Sequence, residues 1–318
     1  MDATKTVAMQ SERSGQSGQV ADPGTTAHVT MQTKPRQQRM WRRLLRQRLM
    51  VLNLAFLVLV AICAIAPDVI APFDPAAQSL RSRLTEPLSS SANGHHWLGT
   101  DSLGRDVLSR VIHGARISVI VAVSSIVVAG TIGIALGLVS GYLGGIVDDI
   151  IGWVTNVQLS FPFILLAVAV VAVLGPGLRN VILVLGVTTW VIYGRVVRGE
   201  VLALRDSEYV EAARVSGSST PRILLRHILP NITTPLIIIT TFQVAQIIIA
   251  EASLSFLGLG AGTSSYSWGT LMADGRKDLA TSWWIATMPG IAIMLTVLAI
   301  NLLGDWLRDE LDPRVVTE

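Results

Sequence analysis

The sequence predicts an all-α, polytopic membrane protein with six transmembrane helices, and three observations carry that prediction. The residues AVILMFWYC make up 51% of the 318-residue chain and DEKR only 15%, well short of the roughly 25% charge of a water-soluble domain. The mean hydropathy is +0.54. Six apolar segments, each near the length that spans a ~30 Å hydrocarbon core, are separated by stretches rich in Gly, Pro and charge.

The first segment, 49–66, reads LMVLNLAFLVLVAICAIA, with Asn53 as its only polar side chain. The basic run RRLLRQR at 42–48 precedes it, as expected of a cytoplasmic flank facing anionic membrane lipid. Ala64-Ile65-Ala66 is similar to a signal-peptidase site, but the apolar run exceeds the ~7–15 residues of a cleaved signal, so a retained anchor is expected. Residues 1–40, rich in Gln, Ser, Thr and Gly, bury too little to order themselves and read as a flexible cytoplasmic tail.

The other spans fall at 117–141, 156–175, 179–197, 232–257 and 283–304. The chain thus divides into the tail 1–40, a basic flank and first helix 41–66, an extracytoplasmic loop 67–116, a five-helix core 117–304 carrying the loop 199–231, and a cytoplasmic C-terminus 305–318. Six crossings put both termini on one side. With the N-terminus inside, 17 Lys/Arg lie inside and eight outside, the asymmetry of the positive-inside rule, although Arg81, Arg83, Arg105, Arg110 and Arg116 weaken it by clustering outside.

Composition excludes several function classes. The formal charge is only +3 and the basic run lacks interleaved aromatics, which argues against nucleic-acid binding. Cys63 is the single cysteine, so it reads as a small buried hydrophobe rather than a disulfide or metal partner. The sequence has no Gly-Lys pair, so it cannot form the phosphate cradle G-x-x-x-x-G-K-[ST]. No H-E-x-x-H helix or Ser/His/Asp arrangement is present either, so no catalysis and no cofactor are expected of this chain. His95, His96 and Asp101 come nearest to a metal set, but adjacent histidines rarely converge on one ion. A self-sufficient secondary transporter would show an internal repeat and paired ionisable residues at mid-depth, and neither is visible.

Within the spans, Gly133, Gly137 and Gly141, followed by Gly145, form a four-residue ladder that lets a second helix approach closely. Pro162 and Pro289 lie near span starts and read as helix-entry residues. Gly175-Pro176-Gly177 predicts a tight outer turn. Asp148-Asp149 and Asp309-Glu310 read as solvated flanks. Gln243, Gln246 and Glu251 interrupt span five, where polar side chains are costly unless they face protein or water. Gln243 and Gln246 share a face, with Glu251 about 80° round the helix. Two readings stand: the three line a hydrated path, or Glu251 pairs with Arg105, Arg110 or Arg116.

The loop 199–231 is the longest polar interruption on the inner face. Asp206 or Ser207 can cap a short helix over 207–216, Glu208 suits its positive end, Gly217 can take a left-handed C-terminal position, and Pro221 blocks continuation. Tyr209, Ala212, Ala213 and Ser216 would form a small-residue face with one aromatic, while Glu211 and Arg214 project elsewhere. Such a helix is either an ordinary surface element or a face that enters a groove on another protein.

Here the sequence resembles a known family. Glu211-Ala212-Ala213, Gly217 and Leu229-Pro230 reproduce the spacing of the EAA signature of ABC-importer permeases, EAA-x3-G-x9-I-x-L-P, with His227 in the Ile slot. GTDSLGRDVLSRVIHGARIS (99–118), LSFPFILLAVAVVAVLGPGL (159–178), EASLSFLGLG (251–260) and LGDWLRDELDPR (303–314) are similar to the C-type permease of dipeptide, oligopeptide and nickel importers, a likeness running from 97 to the end.

The resemblance implies a type I ABC importer permease fold with a cytoplasmic coupling helix, in a bacterial inner membrane. It also implies a heterodimer with a related permease, one or two ABC ATPase subunits that hold the ATP and Mg, and an extracytoplasmic substrate-binding protein that delivers a small peptide, nickel or another solute. Ser207, Glu208, Tyr209, Glu211, Ala212, Ala213, Arg214, Gly217, Leu229 and Pro230 would then form the ATPase contact, and Gln243, Gln246 and Glu251 would be pathway candidates.

Overall fold

The computed structural model describes residues 36–311 except 92–93 and 263–265, with only the backbone described for 36–47 and Ser91. Two compact units divide the chain, Met1–Leu45 and Arg46–Glu318. Of the first, only the backbone from Arg36 is described, as the opening turns of α1 (Arg36–Ile65). Helix therefore begins inside the stretch expected to be a tail, and the rest of that tail lies outside the described residues. Leu, Arg, Gln and Met are good helix formers, so the basic flank continues the span's helix toward its N-terminus.

The second unit is built from helices. Five contain windows long and apolar enough to cross a membrane: α1, α3 (Val107–Leu143), α6 (Leu178–Leu204), the run Thr220–Phe256, and α11 (Trp284–Leu311). The expected span 156–175 is not one helix but part of a bent pair, α4 (Gly145–Leu159) and α5 (Phe163–Leu174), turned 88° from each other. The break has a local cause. Pro162 stands as the N-cap of α5, and the residue before a proline is disfavoured from helix.

α3 begins ten residues ahead of the expected span because Asp106 caps it, its Oδ2 accepting from Ser109 N at 2.7 Å. Before it lie α2 (Pro67–Ile70) and a small hairpin of β1 (Ser89–Ser91) and β2 (Gly94–His96), antiparallel with Ser89 opposite His96.

α3 and α6 form the central pair. A Cβ on Gly133 would lie 2.5 Å from Trp190 O and Tyr193 Cβ, one on Gly137 2.7 Å from Gly194 O and Val197 Cβ, and one on Gly141 2.8 Å from Val201 Cβ. All are closer than real Cβ contacts allow, so these three glycines bring the backbones together. Gly145 is not a fourth rung: a Cβ there would meet no other helix within 4 Å, and with Gly144 it turns the chain at φ +54° and +65°.

On one side of this pair Val121, Val184, Leu185 and Ile248 share a buried core with Leu254 and Ile300. Half-buried Cys63 packs against that core. α9 (Thr233–Phe256), α10 (Trp268–Gly275) and α11 complete the bundle. Asn53 Nδ2 donates to Ala299 O at 2.9 Å, tying α1 to α11. Pro289 is the sixth residue of α11 and buried, deeper in the helix than an entry residue. Asp148 is not a solvated flank. Arg198 clasps it with two hydrogen bonds of 2.6 Å and Ser140 adds a third, so α4 is tied to α6 and α3. A bidentate arginine is the strongest of such ties.

Candidate functional site

The loop between α6 and α9 holds a helix of eight residues, α7 (Glu208–Val215), matching the expected 207–216. Its start differs from the expectation. Ser207 is the N-cap, but its hydroxyl donates back to Leu204 O at 2.6 Å, and neither it nor Asp206 caps through the side chain. The C-terminus is as read: Gly217 adopts φ +77°, Gly217 N donates to Arg214 O and Ser218 N to Ala213 O. These are the two bonds of a Schellman turn, which needs a left-handed residue at that position.

The faces of α7 are assigned by packing. Val210 is fully buried and Ala213 nearly so, both in a second core with Val197, Val201, Ile223, Leu224, Ile228 and Ile232. Ala213 therefore points into its own subunit, which corrects its placement on an outward face with Tyr209, Ala212 and Ser216. Those three are exposed, as are Glu208, Glu211 and Gly217. Glu208 and Glu211 occupy the first turn and Arg214 the last, the order that the helix dipole favours. Arg214 also lies over the Tyr142 ring at the end of α3, 5.7 Å from its centroid.

After α7 the chain forms α8 (Thr220–Ile223), a wide π turn over Leu224–Ile228 and a tight turn over Leu229–Ile232. Leu229 N reaches back five residues to Leu224 O. Pro230 has no N–H to donate to Arg226 O in an α-helical ladder, and in the tight turn that follows Asn231 donates through its side chain, Nδ2 reaching His227 O at 2.6 Å. Leu229 is half-buried against the second core while Pro230 is exposed.

In α9 the pathway candidates separate. Gln243 is buried, Gln246 exposed and Glu251 fully buried, so Gln243 and Gln246 do not share one environment. Glu251 accepts from Ser255 Oγ at 2.6 Å and from Ser118 Oγ at 3.1 Å. Serines, not Arg105, Arg110 or Arg116, donate to it.

Arg105 and Arg110 instead serve a network that sequence reading missed. Asp101 Oδ2 receives Arg105 Nε at 2.6 Å and Arg110 Nη1 at 2.7 Å, while Asp101 Oδ1 accepts from the backbone of Leu103 and Arg105. Arg110 Nη2 reaches Asp274 at 3.0 Å. The i, i+4 spacing of Asp101 and Arg105 was the available signal; Asp274 is 164 positions from Arg110 and offered none. His96 Nδ1 lies 2.9 Å from Asp106 Oδ1, and His95 contacts Ser90 and Trp97. His95, His96 and Asp101 thus turn to three different partners.

Apolar crossings around a glycine-packed helix pair, with a loop helix braced between two of them, define a multi-pass membrane component. The chain belongs to the family of binding-protein-dependent transport system inner membrane components, whose model matches residues 133–317. A model of the N-terminal transmembrane domain of oligopeptide transport permease C matches residues 36–87.

The chain is 40% identical over 264 residues to the di/tripeptide transport system permease protein DppC of Pseudomonas aeruginosa, covering 83% of this chain and 87% of that one. It is 42% identical over 275 residues to the glutathione transport system permease protein GsiD of Pectobacterium atrosepticum, covering 86% and 90%. A solved inward-facing MetNI methionine ABC transporter aligns over 67% of this chain and 97% of its own, at 20% identity and a TM-score of 0.49. The protein is a transmembrane permease subunit of an ABC transport system.

Proposed function

We propose that this chain forms half of the translocation pathway of an ATP-driven importer of small peptides, and that α7 passes the ATPase stroke to the spans. ATP and Mg would sit on one or two partner ATPase subunits, a related permease would complete the pathway, and an extracytoplasmic binding protein would deliver the peptide. Both termini would face the cytoplasm, the orientation that the Lys/Arg asymmetry favours.

The observation that carries the reading is the two-faced seating of α7. Val210 and Ala213 are locked into the same core as Val197 and Val201 of α6 and Ile232 before α9, while Glu208, Tyr209, Glu211 and Ala212 are free to meet a partner. A push on the outer face is therefore delivered to α6 and α9 together, because a packed core moves as discrete units rather than deforming continuously. The named transport of di/tripeptides and glutathione by the relatives supports a peptide cargo. ATP closes the ATPase pair, α7 moves with it, the pathway opens outward, and hydrolysis resets it.

Ala212→Asp tests the contact without touching the core. The expected outcome is normal membrane insertion with loss of ATPase co-purification, and undiminished recovery of the ATPase refutes the assignment. Uptake of labelled alanine peptides by the complete reconstituted importer tests the cargo.

A further inference from the structure

The cleft between α4 and α6 has a volume of ≈ 630 Å³ and is lined by residues of both helices, among them Asp148, Asp149, Asn156, Trp190, Arg195 and Arg198. That falls within the range of small-molecule sites, roughly 300–1,000 Å³. The two helices run antiparallel along it: Asp148 meets Arg198, while Gln158 Nε2 donates to Thr188 O at 2.7 Å and Gln158 Oε1 accepts from Trp190 Nε1 at 2.9 Å.

The charges in this cleft are not all used. Asp148 and Arg198 neutralise each other at 2.6 Å. Arg195 has no ion pair among the described residues, and its one hydrogen bond is a long 3.5 Å contact from Nη2 to Asn156 Oδ1. Asp149, exposed and on the same cleft, has no ion pair among the described residues either. Arg195 is exposed to the cleft, so its guanidinium is open to a ligand that brings a negative charge.

We propose that this cleft is a transient binding site for the cargo, with Arg195 receiving the terminal carboxylate of a short peptide and Asp149 its terminal ammonium. One cation and one anion, neither with an ion pair among the described residues, on a single cleft complement a zwitterion, and the neutralised Asp148–Arg198 pair between the helices holds the walls. Guanidinium suits the carboxylate because it offers a planar fork of donors. The Trp190 ring, fixed by its bond to Gln158, supplies a rigid apolar wall at the end of the cleft beyond Arg195. The inference rests on the peptide reading above.

The test uses the complete permease–ATPase complex without its external binding protein, and measures binding of radiolabelled dialanine, N-acetyl-dialanine and dialanine amide by equilibrium dialysis. Loss of one charge-assisted contact should weaken binding roughly tenfold or more. Arg195→Gln should weaken dialanine and N-acetyl-dialanine. Asp149→Asn should weaken dialanine and dialanine amide but leave N-acetyl-dialanine unchanged, and Arg195→Lys and Asp149→Glu should restore much of the loss.

Equal binding of all three probes by wild type and both variants overturns the proposal, as does a wild-type complex that binds none. Arg195→Gln that costs recovery of the partner permease while the remaining complex binds dialanine normally assigns the arginine to the subunit contact and also overturns it. Uptake of dialanine by the wild-type importer, measured separately with its binding protein, keeps the two ideas apart: uptake without cleft binding defeats only the cleft, and absence of any peptide uptake defeats the peptide reading itself.

Discussion

Adding one methyl group to Gly137 should separate α3 from α6. The new Cβ would stand 2.7 Å from both Gly194 O and Val197 Cβ, where ordinary contact begins at 3.4 Å, so the helices must part by at least 0.7 Å or twist at this point. The obstacles are a backbone carbonyl and a branched Cβ, neither of which can swing aside. Overpacking of this kind costs about 1–3 kcal/mol. Gly199 provides the matched control, since it lies inside α6 and nothing approaches its Cβ position within 4 Å. The same Gly→Ala change there removes only the helix penalty of glycine and should stabilise by about 0.5–1 kcal/mol. SDS unfolding in mixed micelles, followed by tryptophan fluorescence, should place the two variants on opposite sides of wild type, about 1.5–4 kcal/mol apart. A Gly137→Ala protein as stable as Gly199→Ala would refute the claim that these glycines set the helix separation.

Three further outcomes are expected. Asp101→Asn leaves the buried Arg110 and the half-buried Arg105 facing a neutral amide, at a cost of about 3–5 kcal/mol, visible as early proteolysis of the segment before α3. Glu251→Leu strips the buried Ser118 and Ser255 hydroxyls of their acceptor and should lower folded yield by about 1–3 kcal/mol of stability per orphaned group; Glu251→Gln, which keeps an acceptor, should be milder, and equal yields would disprove the serine-cradle account. Gly217→Val forces a branched residue to φ +77°, costs about 1–2 kcal/mol, and should raise protease sensitivity between α6 and α9 while leaving the spans intact.

The sequence alone determined what depends on solvent and on local geometry. Long apolar runs place α1, α3, α6, α9 and α11 because a bilayer rewards any segment of sufficient length, whatever its partners. The glycine stripe at 133, 137 and 141 was legible because helical period puts spaced small residues on one face, and Gly217 was legible as a helix stop because few residues tolerate a left-handed backbone. The cap and stop residues Ser207, Glu208, Gly217 and Pro221 likewise located α7, which spans Glu208–Val215.

Tertiary structure decided everything that needs a distant partner. It turned Ala213 inward with Val210, split Gln243 from Gln246, surrounded Glu251 with serines, and gave Arg110 to Asp101 and Asp274. It also closed Asp148 onto Arg198, 50 positions away, leaving Asp149 and Arg195 on the α4–α6 cleft without an ion pair among the described residues. Period and composition report which residues must leave water or lipid. Which group then satisfies a buried charge depends on how helices far apart in the chain come to lie side by side, and no local pattern encodes that.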